Sequence, residues 1–435
     1  MRGTATGQPV LAMVESNTTG TGRTFAVAAR ARGLRPVLLS SGPDRYPWVV
    51  EDAVDVVLVD TTDAASVADA ARASAGGTGL AGLVTSSEYF VAITARAAAR
   101  LGLPGQDPSA VERCRDKRRQ RQALQGAGVP VPAFAAAALP QEAAEVALAI
   151  GFPVVVKPAD GTGSRGVRLC GDSTEVTQHT AALFARPRDE RGQPTIPAVL
   201  VEEYVSGPEV SVETFGTEIV GITAKHLGPQ PWFVEHGHDF PADPEDAAAG
   251  ECRSATGCGE GPYGASGAAG CAQAAIEALG LGFGPAHTEI RVGAGGPVVI
   301  EVNPRLAGGR IPTLVRLATG IDLIGATVDA VIGEHKPLPE PGPGHASVRF
   351  LVPPRAGRVR RTAGVAAAAA VPGVVDVAIT ARPGQQVGGT GSFLDRVGHV
   401  ITAAPTASTA RTSAETALSL LELDIDVEQT AMAVG

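Results

Sequence analysis

The stretch Pro153-Val154-Val155-Val156-Lys157-Pro158-Ala159-Asp160-Gly161-Thr162-Gly163-Ser164-Arg165-Gly166-Val167 decides how the rest of the chain is read. Its valine run favours an extended strand, and the lysine at the strand's end opens directly onto a glycine-rich loop. A strand-borne lysine can neutralise a phosphate, and the bare N–H groups of a glycine loop can cover phosphate oxygens. Much further along the chain comes Glu301-Val302-Asn303. Residues two apart on a strand share a face, so this carboxylate and this amide can hold one hard cation. Together the pieces describe a site for ATP with its own magnesium clamp.

Composition sharpens the lysine signal. Only Lys117, Lys157, Lys225 and Lys336 are lysines among 36 lysines and arginines. Arginine meets the general need for positive charge here, so a lysine points to a need for a compact ammonium. At 435 residues the chain has room for about two to four domains. The formal charge of −9 argues against nucleic acid as the main partner. The one basic run, Arg113 to Arg121, reads as the solvated face of a helix. The five cysteines are scattered with no Cys-x-x-Cys, which fits reduced thiols rather than a disulfide framework or a zinc site. The apolar segment Val10–Val14 is too short for a signal sequence, and no apolar run reaches membrane-spanning length. A cytoplasmic protein without membrane partners is expected, with a homodimer left open.

Residues 9–106 alternate short apolar runs with helical stretches. Strands are expected at Val10–Val14, Pro36–Leu39, Val54–Val59 and Gly82–Thr85, with a helix at Arg23–Arg32, which implies a parallel α/β domain. The loop Asn17–Thr24 lacks the Gly-Lys-Ser/Thr ending of a phosphate loop and reads as a tight strand-to-helix turn. After Pro104-Gly105 and Pro108, one helix of about sixteen residues is expected, capped by Ser109 and ending near Gly126-Ala127-Gly128. Residues 185–197 read as a hairpin tip or loop. Strands return at Ala198–Val201, Glu209–Phe215 and Val298–Val302. Asp243–Gly270 reads as a surface excursion before a helix at Cys271–Leu279. A Pro/Gly linker near residue 337 leads to a tail with strands at Ala346–Leu351, Val374–Thr380 and His399–Ala403 and a final helix at Ser408–Leu423.

With these motifs in order, the chain resembles the ATP-grasp superfamily of carboxylate–amine ligases, and within it the L-amino-acid ligase (dipeptide synthetase) branch. Asp116-Lys117, with Leu124 and Gly128-Val129-Pro130-Val131-Pro132, is similar to the family's first lysine helix. Pro153–Pro158 and the loop through Gly166-Val167 are similar to its second lysine and phosphate loop. Val201–Glu209 resembles the hinge, and His287-Thr288-Glu289 with Glu301–Arg305 resembles the metal cluster. The resemblance covers residues 100–335 most firmly. In the tail, Ala381–Gly384 and Asp395-Arg396-Val397-Gly398 resemble that branch. It implies an α/β fold: an N-terminal Rossmann-like parallel domain (1–107), an ATP-grasp domain (108–336, with a lid at about 130–207) and a C-terminal α+β domain (337–435).

The resemblance also implies roles. Lys117 and Lys157 converge on the α- and β-phosphates, covered by the loop of Gly163, Ser164 and Gly166. Glu202 and the backbone around Val205 hydrogen-bond the adenine edge, Tyr204 belongs to the same ATP-binding hinge, and Glu209 takes the ribose hydroxyls, since a carboxylate can accept two hydroxyl donors. Glu289, Glu301 and Asn303 share two magnesium ions with the outer phosphates, and manganese can substitute. Oxygen-only ligation suits such hard cations. A substrate carboxylate attacks the γ-phosphate, an amine attacks the resulting acyl phosphate, and Arg305 stabilises the acyl phosphate and the tetrahedral oxyanion. Trp232–His238 resembles a dipeptide-ligase segment in which Glu235 and His238 face the amino-acid pocket. Gly308 and Gly309 add bare N–H groups beside Arg305. The substrates expected are amino acids or small carboxylic acids. A carboxylase or purine-pathway ligase of the same superfamily is the enzymatic rival, and a catalytically silent nucleotide-binding scaffold the other. The complete lysine and metal sets argue against the scaffold, and the Glu235/His238 segment and the tail against the carboxylase.

Overall fold

The computed structural model describes residues 7–17, 20–243 and 267–426. Near the N-terminus, strands Asp55–Leu58, Arg35–Ser40, Val10–Val14 and Leu80–Val84 lie side by side in that order, all parallel. Val10–Val14 is buried along its whole length, as a parallel strand covered on both faces must be. The expected helix spans Thr21–Ala31, and Asn17 Oδ1 accepts from the Thr21 N–H to close the turn before it.

The single helix expected after Pro108 is in fact two, Pro108–Arg115 and Lys117–Gly126. Asp107, not Ser109, caps the first. The Asp116 carboxylate accepts from the Arg118 N–H and caps the second. An aspartate in extended conformation satisfies first-turn N–H groups, and so starts a new helix where propensity alone would continue the old one. The break also corrects the basic run. Arg121 and Lys117 are buried while Arg119 stays exposed, so the run turns part of its charge inward.

A second sheet holds Phe134–Ala137, Val199–Glu203, Val154–Pro158 and Arg168–Cys170, in that order, all antiparallel. Helices Pro140–Ile150 and Ser173–Phe184 close its apolar face over Val154, Val156, Val199 and Val201. Each buried valine contributes roughly 1.5–3 kcal/mol.

The largest sheet has eight antiparallel strands. Gly296–Asn303, Pro285–Gly293, Glu209–Phe215, Glu218–Leu227 and Glu235–Phe240 run from one edge, and His345–Leu351, Gly398–Ala404 and Val374–Ile379 continue it. The tail therefore extends the sheet that carries the metal motif. Its low-complexity alanines form a short helix, Val365–Ala369. The last helix ends at Ser419, short of the expected Leu423, and Glu422–Asp426 is a strand paired with Gly357–Ala363. The alternation of Leu423 and Ile425 toward a small apolar cluster decides that. Of the surface excursion expected at Asp243–Gly270, residues 244–266 lie outside the described residues. Helix Ala268–Leu279 follows.

The three parts share a core. One apolar cluster runs from Phe25 and Leu38 through Leu314 and Val328 to Val348 and Ile401. The Arg32–Asp329 pair at 2.6 Å ties the N-terminal helix to helix Leu323–Val331. No helix among the described residues is long and apolar enough to cross a membrane.

Candidate active site

Antiparallel pairing brings together the residues expected to hold the metal. Strands Pro285–Gly293 and Gly296–Asn303 pair with Glu289 opposite Glu301 and His287 opposite Asn303. The period-2 alternation then puts Glu301 and Asn303 on one face. One end of the Asn303 amide lies 3.0 Å from a Glu301 carboxylate oxygen and 3.3 Å from one of Glu88. Turned one way, the amide donates N–H to both carboxylates. Turned the other way, these residues present only oxygens, which is the donor set of a hard cation. The residues therefore fit magnesium with phosphate oxygens completing its shell. His287 supports the clamp from behind: its Nδ1 lies 2.8 Å from Glu213 and its Nε2 3.3 Å from Glu289. Burial would lower its pKa, but the two carboxylates overcome that and raise it to about 9.

The lysines meet from three elements. Lys117 Nζ donates to the Gly161 carbonyl at 2.6 Å and to Glu301 at 3.0 Å, which ties the helix to the phosphate loop and the metal strand. Lys157 is 2.5 Å from Glu202, whose other oxygen accepts from Arg121 at 2.6 Å. Desolvation lowers the Lys157 pKa against the pull of Glu202. Glu202 is thus the buried counter-ion of two cations. Lys225 is the centre of a larger cluster, 2.7 Å from Glu209, 2.8 Å from Glu235 and 3.0 Å from Glu289. Burial disfavours its charge, yet the three carboxylates hold its pKa well above the ordinary lysine value. It links Glu209, Glu235 and Glu289, the residues expected at the ribose, the substrate and the metal. Lys336, by contrast, is a surface residue beside Glu334.

Where substrate is expected, Glu235 accepts from Lys225 and from Arg396 of the tail, and His238 Nε2 lies 3.4 Å away. Burial opposes its charge, but these cations keep its pKa well below the usual carboxylate range. His238 is held by the Gly309 carbonyl at 2.9 Å and by the edge of the Phe350 ring. Gly309 has φ +56°, and a Cβ there would lie 2.2 Å from the His238 ring. A glycine is therefore required on both counts. Arg305 pairs with Glu88, a buried carboxylate of the N-terminal domain that Arg115 also grips. Burial opposes ionisation of Glu88, yet these arginines lower its pKa to about 2. Phe393, three residues before Arg396, lies against Gly163 of the phosphate loop.

Every residue expected in the site except Gly166 lines a single cavity of about 240 Å³. Gly166 packs on Leu183 and lines a neighbouring cavity. Sequence reading missed Glu88, Arg115, Arg121, Arg191 and the contact of Arg396. None of these stands in a motif that spacing alone connects to the loop or the clamp. Lys225 was signalled only by the scarcity of lysine.

Residues 26–105 match the ATP-grasp N-terminal domain family, 114–309 an ATP-grasp domain family, and 349–426 the L-amino acid ligase C-terminal domain 2 family. The chain belongs to the ATP-grasp ligases of the L-amino acid ligase branch. This ATP-grasp ligase is 38% identical over 409 residues to the uncharacterized protein y4rH of Sinorhizobium fredii, covering 94% of the chain and 82% of that relative. It is 30% identical over 266 residues to carnosine synthase 1 of Gallus gallus, which covers 57% of the chain but only 27% of that larger protein. Its fold is that of an L-amino acid ligase from Bacillus licheniformis, with TM-score 0.75 at 20% identity over 97% of this chain and all of the other. The ATP-grasp ligase uses ATP with magnesium or manganese.

Proposed function

We propose that the enzyme joins the carboxylate of one amino acid to the amine of a second through an acyl phosphate, releasing ADP and orthophosphate. The observation that carries this reading is that Glu235 and His238 share one cavity with Arg305, the lysines and the oxygen clamp. An ammonium-binding carboxylate and an anion-binding guanidinium thus stand at the phosphate end of a nucleotide site. The likeness to carnosine synthase 1 and the match to the L-amino acid ligase C-terminal domain 2 family support an amide-forming reading.

The residues divide the work. Lys117 and Lys157 exchange Glu301 and Glu202 for phosphate oxygens when nucleotide enters, and Glu209 accepts the ribose hydroxyls. Bound at Glu289, Glu301 and Asn303, magnesium would neutralise the charge on the outer phosphates. Glu235 takes the donor's ammonium in place of Arg396, and Arg305 orients the donor carboxylate toward the γ-phosphate. The carboxylate oxygen bonds to that phosphorus as its bond to ADP breaks. The acceptor amine then attacks the acyl carbon, loses a proton, and expels phosphate. No enzyme nucleophile is required, because positioning and charge neutralisation supply the acceleration. Nucleotide chromatography on amino-acid pairs, with mass spectrometry of products, tests this. ADP with a product lighter than the two reactants by one water is expected. AMP and pyrophosphate would overturn it.

A further inference from the structure

The cations of the cavity are not all alike. Lys117 faces Glu301, Lys157 faces Glu202, Arg291 faces Glu209, Arg305 faces Glu88 and Arg396 faces Glu235. Among the described residues, Arg191 is the one lysine or arginine of the cavity wall with no carboxylate in ion-pair range. It stands on the 185–197 loop of the lid and reaches the N-terminal domain. There it donates to the Tyr46 hydroxyl and to the Ser16 carbonyl, both at 2.9 Å. Its guanidinium carbon lies 5.8 Å from the centres of the Tyr46 and Tyr89 rings. The neighbouring acids are engaged elsewhere. Glu190 pairs with Arg165 and Tyr89, Asp189 accepts backbone N–H groups of its own loop, and Glu15 accepts from the Tyr46 hydroxyl, which stands between it and Arg191.

We propose, on the amino-acid ligase reading above, that Arg191, with Asn17 and Ser86, which line the same cavity and hydrogen-bond to each other at 3.1 Å, is the subsite for the α-carboxylate of the acceptor amino acid. A guanidinium offers five donors in a planar fork, and neutral partners occupy only part of it. Two ring faces and a carbonyl hold its plane but leave its charge to be met by a ligand. The donor carboxylate cannot be that ligand, because it must reach the γ-phosphate beside Arg305 and the clamp. The second substrate of a ligase that makes dipeptides carries a carboxylate that does not react. The subsite adjoins the reacting centre through the 85–89 segment, whose Glu88 holds Arg305 and whose Tyr89 faces Arg191. It also forms only when the lid loop rests on the N-terminal domain, so acceptor binding and lid docking are one event. The acceptor class this selects is a free amino acid, not ammonia, a polyamine or an amino-acid amide.

The test is calorimetric titration of L-amino acids and of their α-amides into the full-length enzyme holding magnesium and a non-hydrolysable ATP analogue. It compares the parent with Arg191→Met and Arg191→Lys. For acids that bind, we expect the parent to prefer acid over amide. Arg191→Met should weaken the acid about ten- to a hundredfold while leaving the amide and the ATP analogue within about twofold. Arg191→Lys should fall between. Equal losses for acid and amide would reduce Arg191 to a latch for the loop, and a loss confined to the ATP analogue would make it a phosphate ligand. Either result, or no amino-acid binding at all, overturns the proposal. The binding assay needs no turnover, so its failure is separable from absence of ADP in the product screen, which overturns the ligase reading.

Discussion

Among the described residues, every cation around the expected nucleotide and metal positions of the cavity meets a carboxylate, and at the N-terminal wall Arg191 meets none. The first region is a preformed lattice of opposite charges. Buried ions there are tolerable because each is paired, and ligand oxygens enter by exchange with side chains already in place. The second is held by aromatic faces and neutral oxygens, so its charge remains available. One region is organised for stability before the ligand arrives, and the other awaits an anion.

The largest test of the comparison removes the centre of the matched region. Lys225→Met leaves Glu209, Glu235 and Glu289 facing one another without their shared cation. It should cost about 3–5 kcal/mol in urea unfolding. Arg191→Met in the same assay should cost less than about 1 kcal/mol, because no buried carboxylate loses a partner. Equal costs would erase the distinction between the regions.

Catalysis gives the next effect. Arg305→Lys keeps a charge but loses the fork that orients one carboxylate while Glu88 holds it. Turnover should fall about a hundredfold with the KM for ATP little changed. A normal rate would remove Arg305 from the chemistry.

Glu235→Gln probes the boundary of the matched region. Donor binding should weaken about ten- to a hundredfold, with nucleotide affinity nearly intact, when each is titrated separately. Unchanged donor affinity would mean that Arg396 and Lys225 keep Glu235 as a purely structural anion.

The smallest effect lies away from the cavity. Asp107→Ala, which removes the cap of helix Pro108–Arg115, should cost about 1 kcal/mol without altering any KM. An altered KM for ATP would show that the orientation of the Lys117 helix depends on that cap.

What could be read from the sequence follows the same division. The phosphate-loop strand, the Glu209–Phe215 strand and the Glu301–Asn303 pair were legible because strand alternation and short spacing encode them locally. Arg191 binds a carbonyl 175 residues away, and Arg305 finds Glu88 at a separation of 217. No periodicity carries such pairings, since they exist only once the domains pack. The inward turn of Arg121 was hidden for a related reason: its partner Glu202 stands in the hinge strand, and the helix break at Asp116 that aims it depends on a capping bond.

The central claim is the acyl phosphate, and oxygen-18 in the donor carboxylate tests it most directly. If that carboxylate attacks the γ-phosphate and phosphate later departs from the acyl carbon, the released orthophosphate carries one labelled oxygen. Label appearing in AMP, or orthophosphate free of label while the amide forms, would contradict the account.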